Sequence, residues 1–91
     1  MSLESERQRG EAARRLLDDP LLADAFAVVE SGLRQQWEAS GEAEAEKRER
    51  QWLMLRLLGR VRGLLTEAIE TGRLADAQLA AIEAGKGKAA R

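Results

Sequence analysis

Two apolar stripes of helical spacing, on either side of a charged connector, constrain this chain more than anything else in it. Leu22, Phe26, Val29, Leu33 and Trp37 follow one another at steps of four, three, four and four. Met54, Leu58, Val61, Leu65 and Ala68 follow at four, three, four and three. Such spacing brings each set onto one face of a helix. Two amphipathic helices joined by a polar connector bury their stripes against each other or against another chain. The predicted fold is all-α: an antiparallel helical hairpin with short flanking helices, its stripes joined by Leu58, Val61 and Leu65. Leu53, Leu57 and Leu64 widen the second stripe beyond what one helix covers. That surplus calls for a further surface, either a flanking helix or a second subunit, and predicts a homo-oligomer. Trp52, Leu57 and Leu64 are the expected interface residues.

The segments around the stripes read from their punctuation. Residues 4–17 are rich in helix formers, with Ala12, Ala13, Leu16 and Leu17 at the C-terminal end and Gly10 as an interruption. Glycine inside a helix costs roughly 1 kcal/mol relative to alanine, so a short helix is expected, frayed before Gly10 and ending near Leu17. In Asp18-Asp19-Pro20 the residue before proline is pushed out of the α region. Asp19 then suits the N-cap of a second helix, with Pro20 at its first position. That helix is expected to run to about Ala39, with Gly32 at a close contact. Ser40-Gly41 signals a turn. Residues 42–50 hold no large apolar side chain, and form either a solvated start to the third helix or partly a loop. Their Glu44→Arg48 and Glu46→Arg50 pairs favour helix by roughly 0.2–0.5 kcal/mol each. The third helix is expected to end near Thr71, with Gly72 just past it. A weaker fourth helix, Leu74 to Ala84, would stop at Gly85. The domain reading is a flexible N-terminus over 1–9, one helical domain over 10–84 and a flexible basic tail over 85–91.

Composition narrows the chemistry. The chain has 91 residues, no cysteine and no histidine. Thiolate or imidazole metal sites, Cys or His nucleophile–base pairs and imidazole proton shuttles therefore have no residues to build them. The reading is non-enzymatic, with no cofactor, no metal and no small-molecule substrate. So short a chain buries a limited fraction of its surface, and oligomerisation is the usual help. Net charge is −1. Residues 1–41 carry five Arg against eight acidic residues, residues 42–71 six basic against six acidic, and residues 72–91 four against two. These excesses of −3, 0 and +2 are too small to define a polyanion-binding protein. No apolar run approaches the roughly 18–20 residues of a membrane span, and the N-terminus lacks the pattern of a secretory signal. A cytoplasmic location is expected.

Two clusters carry alternative chemistry. Arg56 and Arg60 lie along one side of the third helix with Gly59, Gly63 and Trp52, and Arg62 and Arg73 are the further basic candidates for a nucleic-acid contact. Guanidiniums one turn apart suit a phosphate backbone; the alternative is a solvated Arg face with glycines at a tight helix crossing. Trp52 has Arg48 and Arg56 one turn to either side, so it reads as an interface anchor or as a stacking platform. Trp37 reads as packing. Asp18 and Asp19 lack the enclosed site that a carboxylate dyad needs, and capping explains Asp19; Glu42, Glu44 and Glu46 read as a solvated charge run.

Leu16-Leu17-Asp18-Asp19-Pro20, Ala25-Phe26, Trp37, Arg48-Glu49-Arg50-Gln51-Trp52, Leu58, Leu64-Leu65 and Thr71-Gly72-Arg73-Leu74-Ala75 come in this order along the chain. The outline resembles short all-helical phage-encoded proteins of head-assembly and DNA-packaging gene clusters, over most of residues 10–80. The resemblance implies a virion-assembly or packaging accessory, in host cytoplasm or virion, that self-associates in a ring or shell. It carries over no catalytic residue. The alternative function is a nucleic-acid-binding accessory that uses the Arg face of the third helix.

Overall fold

The computed structural model describes residues 2–89, with side chains through residue 86. It contains α1 (Leu3–Asp18), α2 (Pro20–Ala39), a short 3-10 turn (Glu42–Glu44) and α3 (Ala45–Ala89). The described residues include no strand. The chain divides into two compact units, one of Met1–Leu16 with Leu64–Arg91 and the other of Leu17–Gly63.

In the first unit, α1 begins earlier than its composition suggests. The Ser2 hydroxyl accepts from the Ser5 backbone N–H at 3.1 Å, and the Ser2 carbonyl accepts from Glu6 N–H at 3.0 Å. This N-cap satisfies donors that the first helical turn otherwise leaves orphaned. Arg7 pairs with Glu4 one turn earlier in the helix and holds the Glu4 carboxyl below the usual range, chiefly through their hydrogen bond. The fraying expected before Gly10 is thus corrected: helix starts at Leu3.

Gly10 and Gly72 also act differently from the expectation. Both are buried, with Ala13 and Ala75. Gly72 lies inside α3, and no glycine among the described residues takes a positive φ, so it does not end the helix. The third and fourth helices expected from the sequence are one helix of 45 residues. Without side chains at Gly10 and Gly72 the two backbones come together there. Gly85 does not stop the helix either, because α3 continues to Ala89. Lys88 and Arg91 of the expected basic tail lie outside the residues whose side chains are described.

In the second unit, α2 starts as its sequence dictates. Asp19 Oδ1 accepts from the backbone N–H groups of Leu21 at 2.8 Å and Leu22 at 3.3 Å, with Pro20 opening the helix. Its other end closes on Ser40, whose hydroxyl donates to the Trp37 carbonyl at 2.6 Å. α2 buries Leu33 and turns Leu22, Phe26 and Glu30 partly inward. The α3 residues facing it are Gln51, which is 5 % exposed, and the half-buried Leu55, Leu58 and Arg62. Gln51 Nε2 donates to Gln36 Oε1 at 3.3 Å, and Arg62 Nη1 donates to Glu30 Oε2 at 2.9 Å. Residue numbers rise along α2 as they fall along α3 in these pairs.

The seam therefore differs from the predicted one. Met54, Val61, Val29 and Trp37 are all exposed, and Leu65 belongs to the first unit. Steps of four, three and four from Gln51 through Leu55 and Leu58 to Arg62 describe a face rotated by roughly 60° from the apolar stripe, at about 3.6 residues per turn. The physical reason is pairing: Gln51 finds Gln36, while Arg62 finds Glu30 and stacks over the Phe26 ring at 5.0 Å. Buried polar groups are tolerated where they find partners, so this mixed face packs and the more apolar one remains outside.

Candidate functional site: an apolar face of the second unit

Because α2 commits Phe26 and Leu33 to the seam, a second series on the same helix stays in solvent. Leu21, Ala25 and Val28 recur at steps of four and three, with Val29 beside them. Leu21 is 78 % exposed and Val28 72 %. On α3 the equivalent series is Met54, Leu57 and Val61, at steps of three and four, with Leu57 64 % exposed. Each is the a/d spacing of a helix–helix seam. With α2 and α3 running in opposite directions, right-handed helices put Ala25, Val28 and Val29 and Met54, Leu57 and Val61 on the same side of the α2–α3 seam. The face is two helices wide, and Glu46, Lys47 and Arg50 lie at the α3 N-terminal end, where Lys47 pairs with Glu44 at 3.3 Å.

This arrangement can bury apolar area. It offers no acid–base or nucleophile pair, and among the described residues no group of three or more carboxylates is placed to hold a metal ion. Nor is any described helix long and apolar enough to cross a membrane.

The residues singled out from sequence separate onto different surfaces. Leu57 lies on the apolar face. Trp52 is exposed on the opposite flank of α3, where the Arg56 guanidinium sits 5.1 Å from its ring. Leu64 is exposed and belongs to the first unit. The expected interface of Trp52, Leu57 and Leu64 is thus not one surface on the second unit. Arg60 shares the Trp52–Arg56 flank, but Arg62 does not: it faces α2 and bonds Glu30. Arg73 belongs to the first unit, where it bonds Glu70 Oε1 at 3.2 Å. Helical geometry keeps Arg56 and Arg60 together on one flank of α3 and turns Arg62 well away from both.

Two features were missed. The Leu21, Ala25, Val28 series was visible as a second heptad-like spacing on α2, hidden behind the stronger aromatic stripe. Arg48 gave no comparable signal. Its Nη1 lies 3.0 Å from the Trp37 carbonyl, 2.7 Å from the Ser40 carbonyl and 3.0 Å from Ser40 Oγ, with its guanidinium 4.1 Å from the Trp37 ring centre. It closes the C-terminal end of α2, where carbonyls lack helical partners.

Comparison with protein families, with curated proteins and with solved structures gave no match for this chain.

Proposed function

We propose that this chain is a non-enzymatic helical assembly protein whose second unit is an antiparallel hairpin and which works by self-association. What carries the reading is the inversion of its apolar residues. Among the described residues the buried hydrophobics are Ala13, Leu33 and Ala75, whereas Leu21, Val28, Val29, Met54, Leu57 and Val61 are exposed together on one side of a helix pair. Apolar patches of this kind mark interaction surfaces. A chain of this size without disulfides or metal gains stability most directly from a second subunit. The absence of histidine and cysteine supports a role in assembly over one in catalysis. The sequence resemblance to small phage-encoded helical proteins supports a place in virion assembly or DNA packaging, with protein as the principal partner. Light scattering coupled to size exclusion, across a tenfold concentration range, tests the proposal. A discrete oligomer is expected; a monomer at every concentration would overturn it.

A further inference from the structure

We infer that α1 is a strap: it leaves α3 as a unit while the α2–α3 pair stays closed, and its departure uncovers the face of α3 around Gly72 and Ala75.

The two helices that pack on α3 are held by different kinds of side chain. α1 buries Gly10 and Ala13. Of its large apolar residues in the first unit, Leu3 is half-buried and Leu16 is 49 % exposed. On the α3 side of that unit the buried residues are Gly72 and Ala75, with Leu65, Ala68, Ile69 and Leu79 half-buried. α2 instead buries Leu33 and turns Leu22 and Phe26 partly inward. Hydrophobic stabilisation grows with the apolar area removed from water, and glycine and alanine supply far less of it than leucine and phenylalanine. The close backbone approach at Gly10 and Gly72 fixes where α1 sits without adding a side chain to what holds it.

Arg7 adds little across the contact. It bonds Glu4 and reaches Glu11 at 3.6 Å, both within α1. Its pKa is raised first by the Glu4 hydrogen bond, and the charge of Asp76 on α3 is the smallest of the causes. Arg7 Nε is buried without a hydrogen-bond partner, and a desolvated donor of this kind weakens a docked helix. Gln51 Oε1 is likewise unpartnered in the second unit, but there Leu33, Leu22 and Phe26 offset it.

The junction with α2 lets α1 leave alone. Pro20 has no N–H, so no helical bond from it ties α2 back to the last turn of α1. Asp19 Oδ1 takes the N–H groups of Leu21 and Leu22, so α2 keeps its own cap when α1 opens. Once off α3, a helix of 16 residues is marginal in water, and its amides exchange with solvent. Weakly held segments open in this way as cooperative units, below the cost of global unfolding.

Amide hydrogen exchange of the full chain, resolved by residue and repeated at a tenfold higher protein concentration, tests the strap. Protection in residues 10–16 should fall at least about tenfold below that in residues 26–33, at both concentrations. Gly10→Ala, whose Cβ would lie 2.8 Å from the Gly72 Cα, should lower α1 protection by about a further tenfold and leave that of α2 unchanged. Equal protection of the two helices in the parent chain would overturn the strap. So would a difference confined to the higher concentration, which would belong to association rather than to opening within one chain. A loss in Gly10→Ala shared equally by α1 and α2 would overturn it as well, because the two helices would then open together. Should that variant lose its helicity, the parent comparison decides.

Discussion

Gly10 and Gly72 approach so closely that a Cβ on either would lie 2.8 Å from the Cα of the other. A Cβ on Gly10 would also meet the Ala68 carbonyl at 2.9 Å, and one on Gly72 the Glu6 carbonyl at 3.1 Å. All of these neighbours are backbone, which yields only if the helices move apart. Gly10→Ala and Gly72→Ala should each destabilise the chain by about 1–2 kcal/mol, the overpacking cost less the helix propensity that alanine gains. Thermal melts followed by circular dichroism check this. A rise in melting temperature for either variant would show that the backbones are not in contact.

Gly59 and Gly63 predict the opposite sign. Nothing lies within 4 Å of a Cβ built on either, so alanine there meets no neighbour. Removing a glycine from an unobstructed helical position should stabilise by about 0.5–1 kcal/mol, or several degrees in melting temperature for a domain of this size. Destabilisation by either change would reveal a close contact on the Trp52 flank of α3.

Arg48 predicts a capping effect. Truncation to alanine removes a charged donor from the Trp37 and Ser40 carbonyls and the stacking on Trp37. Hydrogen bonds to charged groups and partly exposed cation–π contacts together suggest a loss of about 1–2 kcal/mol. Arg48→Lys should recover less than half of it, because an ammonium lacks the planar fork that bonds and stacks at once. Urea unfolding of the three proteins measures the difference, and equal stability of all three would dismiss the cap.

What could be read from the chain follows from the range of the interaction involved. Asp19-Pro20 was legible because an N-cap is a contact within one turn, and the structure shows Asp19 bonding Leu21 and Leu22. The helical class was legible because the periods of both stripes are local. The face that α3 turns toward α2 was not. Gln51 and Arg62 count as polar in any reading of apolar spacing, and they enter the seam only because Gln36 and Glu30 stand opposite. The same holds for Gly72. As a lone residue it resembles a helix stop; only Gly10, 62 positions earlier in the chain, makes it a crossing point. The candidate face was half legible: Leu57 was singled out as surplus, while its α2 counterpart Val28 lay outside the stripe.

The Glu30–Arg62 pair should couple measurably. The two meet at 2.9 Å with side chains 27 % and 42 % exposed, and Glu30 is shared with Arg34 at 3.1 Å. Partial exposure limits the pair to about 0.5–1 kcal/mol. A double-mutant cycle with Glu30→Gln and Arg62→Met isolates it. The coupling should shrink as salt is raised. Zero coupling at low salt would mean that Arg62 contributes to the seam through its stacking on Phe26 and not through Glu30.

Binding to nucleic acid is the sharpest remaining contrast. With Arg62 turned to Glu30, the Trp52 flank of α3 retains Arg56 and Arg60, and Arg56 stacks on Trp52. Two guanidiniums on a chain of net charge −1 neutralise few phosphates. The salt dependence of binding scales with that number, with a slope of about −0.9 per phosphate on duplex DNA. An assembly protein should therefore show no saturable binding to duplex or single strands at physiological salt, as read by fluorescence anisotropy. Tight binding with a slope steeper than about −2, lost in Arg56→Ala/Arg60→Ala, would instead assign the flank to a phosphate backbone. That result would make self-association a means of bringing several such flanks together, since linked weak sites bind a polymer far more tightly than one alone.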